Sequence, residues 1–290
     1  GRKMIVTAEI AQLWKDLAEG NSKAAKATAV VNALVQTTWD QNGFYYYSGG
    51  QLHIFELYNN LCPYDNNAGE RTVTGCVATA MAQIMKYWDY PAQGIGSHSY
   101  TPYTSPDLGV QSANFGETTY EWANMPNQLS QSSTTTQINA IATLMYHCGV
   151  SVDMMYDISS NGGSGAYSND IPYALINYFN YKSTATYLTK SSYTDSNWIA
   201  LLKSELDAGR PIEYNGSGTG GGHAFVCDGY DNSNRFHFNW GWSGQNDGFF
   251  ALTSLNPGSG GSGGGSYNFT NDQNAVIGIE PASTIAAPTT

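Results

Sequence analysis

The chain has 290 residues, with 12 Lys and Arg against 23 Asp and Glu, for a net charge of −11. That balance excludes a protein that tracks the nucleic-acid phosphate backbone, which needs the opposite sign. Hydrophobic residues at 41%, aromatics at 13% and charged residues at only 12% describe an ordered globular chain rather than a disordered one. No apolar run reaches transmembrane length and no basic amphipathic stretch suits a membrane surface, so no membrane insertion is expected. Few Lys with many Asn, Ser, Thr and Tyr suits a protein that works outside cells.

Residues 3–30 read as a helical stretch, with Ile10, Leu13, Trp14 and Leu17 at helical spacing and a small, polar, protease-accessible end at 21–27. An aromatic extended segment is predicted at 37–58, followed by a loop at 62–69. The clearest helix comes next. Val77, Ala80, Met81, Ile84, Met85 and Trp88 fall on one apolar face, Thr74 is the predicted N-cap, and the helix stops before Pro91. This places Cys76 in the first turn. Further helices are predicted at 134–148, 169–179 and 195–208, the last closed by Gly209.

Beyond residue 211 the pattern changes to strands, at 211–214, 223–230, 235–240 and 248–252, with Asp231 to Asn234 as a hairpin turn. A helical half followed by an antiparallel β half is an α+β order. Residues 257–266 read as a Gly/Ser loop and 282–290 as a linker tail.

The four cysteines, Cys62, Cys76, Cys148 and Cys227, have neither the spacing of a disulfide scaffold nor that of a zinc site, so no metal and no cofactor is expected. Cys148 and Cys227 read as small buried apolar residues, and Cys62 stays open. Cys76 differs because a thiol in a helix's first turn meets free N–H groups and the helix dipole, both of which favour thiolate. Gly75 beside it lets a substrate backbone come close. On local pattern alone, a core cysteine at a helix start fits equally well.

A nucleophilic thiol needs a base. Of five histidines, His53 and His98 fall in predicted loops, His147 on a helix, and His237 between Phe236 and Phe238 on a strand. His223 follows a run of glycines and opens an apolar strand, which suits the wall of a cleft where a peptide slides past. Asn239, on the strand after the hairpin, is placed to orient the imidazole, and Trp240 to shield that hydrogen bond from water. Gln41 is a candidate second oxyanion donor beside the Cys76 backbone N–H. Taken alone, Gln41 also fits an ordinary loop, and the Trp240-Gly241-Trp242 element also fits simple packing.

Together these residues resemble the streptopain peptidases, papain-like bacterial cysteine peptidases. The resemblance spans about 36–281 and rests on TGCVATAMAQIMKYWDYP at 74–91, GGHAFVCDGY at 221–230, HFNWGWSG at 237–244 and LMYHCG at 144–149, with a Gly-rich loop before Ala275. It implies a papain-like fold, with a helical lobe bearing Cys76, a β lobe bearing His223, and the active site in the cleft between. Gln41 matches the family's oxyanion-hole Gln, and Asn239 and Trp240 match the residues that orient and cover the His. Gly222 matches a substrate-binding backbone position, and Ser164, Gly165 and Ala166 match a loop of the substrate cleft. Gly165 replaces a Ser, Ser243 stands where the family often has Gly, and the stretch from 45 to 53 is longer.

By the same resemblance the expected protein is a secreted, cell-surface or periplasmic bacterial endopeptidase made as a zymogen. Its partners are protein or peptide substrates, with a bulky apolar residue just upstream of the scissile one, and its own propeptide. Residues 1–26 resemble a propeptide remnant, cut after Lys23 or Lys26, 27–281 the peptidase domain and 282–290 the tail. Two other readings use the same chain: an acyl transferase with the same Cys-His-Asn set, and a non-catalytic binding or adhesion module on a peptidase scaffold.

Overall fold

The computed structural model describes residues 28–259 and 266–282. The predicted N-terminal helical stretch up to residue 27, with its expected cleavage points, and the tail from 283 lie outside those residues. Residues 28–30, the end of the predicted helical stretch, are not helical. Ala29–Val31 (β1) is a strand paired antiparallel with the far end of the strand that carries His223, a geometry that β-branched Val30 and Val31 favour.

Among the described residues four α-helices follow in chain order: Cys76–Trp88 (α1), Thr135–Ser151 (α2), Ile171–Tyr178 (α3) and, after the strand Thr186–Thr189 (β2), Asp195–Asp207 (α4). The strands Ile212–Gly218 (β3), Gly221–Asp231 (β4), Phe236–Asn239 (β5), Gly248–Phe250 (β6) and Asn271–Ile277 (β7) complete an antiparallel sheet in the order β6-β5-β4-β3-β7-β2. The fold class is the expected α+β, although β1 and β2 join the sheet from ahead of the last helix.

Helix α1 is buried around nearly its whole circumference, between α2 on one side and β4 on the other. Alternate small residues, Ala78, Ala80 and Ala82, let both neighbours approach. Its start differs from expectation. The N-cap is Gly75, at φ 85°, with no side-chain cap, while the Thr74 hydroxyl is bonded to that of Thr79 at 2.9 Å. Only glycine fits here: φ is in the left-handed region, and a Cβ would lie 2.6 Å from the Met154 sulfur and 3.1 Å from the Ser164 carbonyl. Two of the other helices carry side-chain caps, a Thr134–Gln137 capping box on α2 and Thr194 on α4, while α3 begins at Asp170 without one.

Strand β4 separates two apolar cores. Ala224 and Val226 face the helical core containing Met81, Met85, Ile141 and Leu144. Phe225 and Cys227 face the opposite core, where Trp198, Leu202 and Leu206 of α4 meet Phe238 and Trp240. This two-sided burial explains why β4 reads as a continuous apolar run rather than an alternating one. Cys62, Cys148 and Cys227 are all buried, and all four cysteines are free.

Several strands come from sequence too polar to announce itself. They are β2, β7 and the hairpin Ser97–Tyr100 with Gln111–Asn114, whereas the predicted aromatic extended segment forms the hairpin Phe44–Ser48 with Gln51–Phe55. His53 and His98 therefore lie in strands, not loops.

Candidate active site

Cys76 is the first residue of α1, and the uncapped turn before it leaves main-chain donors around its sulfur. The N–H groups of Ala224, Val77 and Cys76 itself favour the thiolate. Burial works the other way and dominates, pushing the thiol above its ordinary value, with the negative charge of Glu213 adding to it. The helix start alone therefore does not ionise the sulfur. Ala224 joins Cys76 to the neighbour that matters, because the residue before it is His223.

The His223 ring is sandwiched in the β-side core, stacked on Trp242 with centroids 4.9 Å apart and planes at 21°, and close to Phe269 at 5.0 Å. Its Nε2 lies 2.8 Å from the Trp240 carbonyl oxygen. A carbonyl only accepts, so Nε2 carries the proton and Nδ1 is the basic nitrogen. Burial lowers the imidazole to about 4, an effect the Trp240 carbonyl partly opposes. Each charge alone is thus disfavoured, the thiolate and the imidazolium alike.

Asn239 and Trp240 do not do what the sequence led one to expect. The Asn239 amide donates to the Thr37 carbonyl at 2.7 Å and pairs with the Gln83 amide of α1, while its oxygen accepts from Gly241 N–H at 3.0 Å. The reason is strand register. Asn239 sits opposite Val226, so it shares the face turned toward α1, whereas the His223 ring lies among Phe225, Trp242 and Phe269 on the other face. Asn239 is a tie between sheet and helix, and the acceptor that orients His223 is a backbone carbonyl. The Trp240 indole is fully buried against Phe225 and donates to the Asn246 carbonyl at 2.9 Å. The indole that covers the imidazole belongs to Trp242. Sequence reasoning had the right Trp-Gly-Trp element and the wrong member of it.

A cavity of about 750 Å³ brings the remaining candidates together: Gln41, Cys76, Gly222, His223 and the loop Ser164, Gly165 and Ala166 all line it. Gln41 is held on both sides of its backbone, its carbonyl accepting from Thr74 N–H at 2.9 Å and its N–H bonded to the Asp40 carboxylate at 2.6 Å. Ser164 turns its hydroxyl inward to the Val73 carbonyl at 2.6 Å, so it braces the turn before Cys76. Gly165 uses both backbone groups on Met155, at 2.8 and 3.1 Å, and offers the cavity its Cα face.

Glu213 was not anticipated. It lies in the apolar start of β3, fully buried, accepting from the Ser168 hydroxyl at 2.7 Å, and burial raises its carboxyl from the usual 4.5 to about 8. The folded protein therefore keeps a proton that the unfolded chain loses near 4.5, and stability falls as pH rises from there to about 8. Glu213→Gln keeps an acceptor for Ser168 and removes the ionisation. Its stability relative to the parent should rise between about pH 5 and about pH 8, by on the order of a few kcal/mol. Paired denaturant titrations across that range check this; a difference that does not change with pH refutes it.

The sequence model of the peptidase C10 family matches residues 54–250, more than half of the chain. The chain belongs to that family. The thiol protease/hemagglutinin PrtT of Porphyromonas gingivalis is 40% identical over 74% of this chain and 24% of its own length. Streptopain of Streptococcus pyogenes is 37% identical over 89% of this chain and 65% of its own. The chain thus spans less than two thirds of these relatives.

Among solved structures, active wild-type interpain A of Prevotella intermedia, a cysteine protease, superposes with a TM-score of 0.74 at 41% identity, covering 86% of this chain and 95% of that one. A mutant fragment of prointerpain A from the same organism superposes at 0.70 and 37% identity, covering 93% of this chain and 81% of that one. The resemblance read from the motifs is therefore correct, and the fold is papain-like. The peptidase C10 match takes in Cys76, His223 and the Trp-Gly-Trp element and begins after Gln41. Among the described residues, no helix is long and apolar enough to cross a membrane.

Proposed function

We propose that this chain is a cysteine endopeptidase that hydrolyses protein substrates through a Cys76–His223 pair. The observation that carries the reading is that the thiol and the base-tautomer imidazole line one cavity, with backbone N–H groups clustered at the sulfur. Burial penalises either charge by itself, so the site ionises by moving a proton from Cys76 Sγ to His223 Nδ1, which creates both charges together in mutual attraction. The thiolate attacks the scissile carbonyl carbon. The Cys76 N–H and the Gln41 side-chain amide receive the oxyanion, and Nδ1–H protonates the departing amine. Water, deprotonated by Nδ1, then releases the acyl group and regenerates the thiol.

Gly222 and the loop at 164–166 both line that cavity, and a substrate backbone lies along them. Production as a zymogen and export from a bacterial cell belong to the same proposal; prointerpain A, a pro-form, is among the similar structures.

Casein digestion with and without an epoxide thiol inhibitor tests the reading. The expected result is hydrolysis that the inhibitor abolishes with modification at Cys76. Incorporation of added amine in preference to hydrolysis identifies an acyl transferase instead, and failure of the probe to react identifies a non-catalytic module.

A further inference from the structure

Ser243 has φ 56°, in the left-handed region where glycine is favoured, within a loop where Gly241, Gly244 and Asn246 also have positive φ. A serine held there against its backbone preference needs a compensating contact. Its hydroxyl donates to Asp40 Oδ2 at 2.7 Å, and its N–H points at the Trp39 carbonyl at 3.4 Å. The other oxygen of the same carboxylate, Asp40 Oδ1, accepts the Gln41 N–H at 2.6 Å. The loop rests against this segment, since a Cβ on Gly244 would touch the Thr38 methyl at 3.1 Å.

These contacts form a chain through the site. Thr74, two residues before the thiol, holds the Gln41 carbonyl; Asp40 holds its N–H; Ser243 holds Asp40; and Trp242, the residue before Ser243, stacks on the His223 ring. We infer that the Asp40–Ser243 bond is a latch between the lobes that positions Gln41, making Ser243 and Asp40 positioning residues for the oxyanion donor. The inference rests on the reading of Gln41 given above. A donor stabilises an oxyanion only when it is fixed where the charge develops, so freeing one side of the Gln41 peptide lowers turnover without loosening substrate binding.

Ser243→Gly separates this role from a merely structural one, because it removes the hydroxyl and relieves the backbone at the same stroke. The expected result is a kcat lower by about tenfold, KM within about twofold, and a nearly unchanged melting temperature. Ser243→Asn, which tolerates positive φ and keeps a donor for Asp40, should restore most of kcat. In a Gln41→Ala background, Ser243→Gly should cost less than about twofold, because the group it positions is gone.

An equal tenfold loss in both backgrounds, or an unchanged kcat in Ser243→Gly, overturns the latch. If Gln41→Ala lowers kcat and Ser243→Gly does not, the latch alone fails. If Gln41→Ala leaves kcat unchanged, the oxyanion reading fails and takes the latch with it.

Discussion

Cys76→Ala should reduce casein hydrolysis by on the order of 10⁵-fold or more while the protein stays folded. The size follows from the chemistry. Without the sulfur no acyl-enzyme forms, and the oxyanion donors and binding cleft alone leave about 10³–10⁴-fold over water. The fold should survive because Cys76 is only part-buried at the first position of α1, and alanine is a better helix former than cysteine. Iodoacetamide mass labelling supplies an independent readout. Cys62, Cys148 and Cys227 are buried in the cores, so the native parent should take one label and the variant none. Activity within about tenfold of the parent, in a variant with an unchanged circular dichroism spectrum, would end the assignment of the nucleophile.

The parts of this molecule that were legible in the sequence are those where burial imposes a period. Helix α1 declares itself through Val77, Ala80, Met81, Ile84, Met85 and Trp88, and β4 through its unbroken apolar run, and these two carry the thiol and the imidazole. Strand β7 shows the opposite case. Its first four residues, Asn271, Asp272, Gln273 and Asn274, have no strand pattern, and the segment is a strand because β3 and β2 flank it on both sides. The cap of α1 was misread because Thr74 has the right chemistry for an N-cap, while the close approach of Met154 and Ser164 to Gly75 is a tertiary fact.

The Asn239 error has a related origin. Sequence order can bring β5 beside β4, but which face a side chain takes depends on register, and the β4–β5 ladder contains an irregularity between Cys227 and Gly229. A backbone carbonyl as the orienting acceptor leaves no trace in residue type at all. Glu213 could have been noticed as a charge inside an apolar strand start. Ser243 is visible in the sequence only as a departure from glycine.

Gln41→Ala should lower kcat by about 10²–10³-fold and leave KM within a few-fold, the signature of an interaction made in the transition state and not with bound substrate. The substitution spares both backbone bonds that fix residue 41, to Asp40 and Thr74, so a large loss cannot be assigned to a displaced turn. Gln41→Glu sharpens the argument through its sign. At neutral pH its carboxylate would face the developing oxyanion as a like charge, so this variant should be slower than Gln41→Ala. As pH falls and the carboxyl gains a proton, it becomes a donor, and the Glu variant's kcat relative to Gln41→Ala should climb. Initial rates of both variants across the acid range decide the matter. A Glu variant that tracks the Ala variant at every pH places the oxyanion out of reach of residue 41. The second donor must then be sought among the main-chain N–H groups gathered at the start of α1.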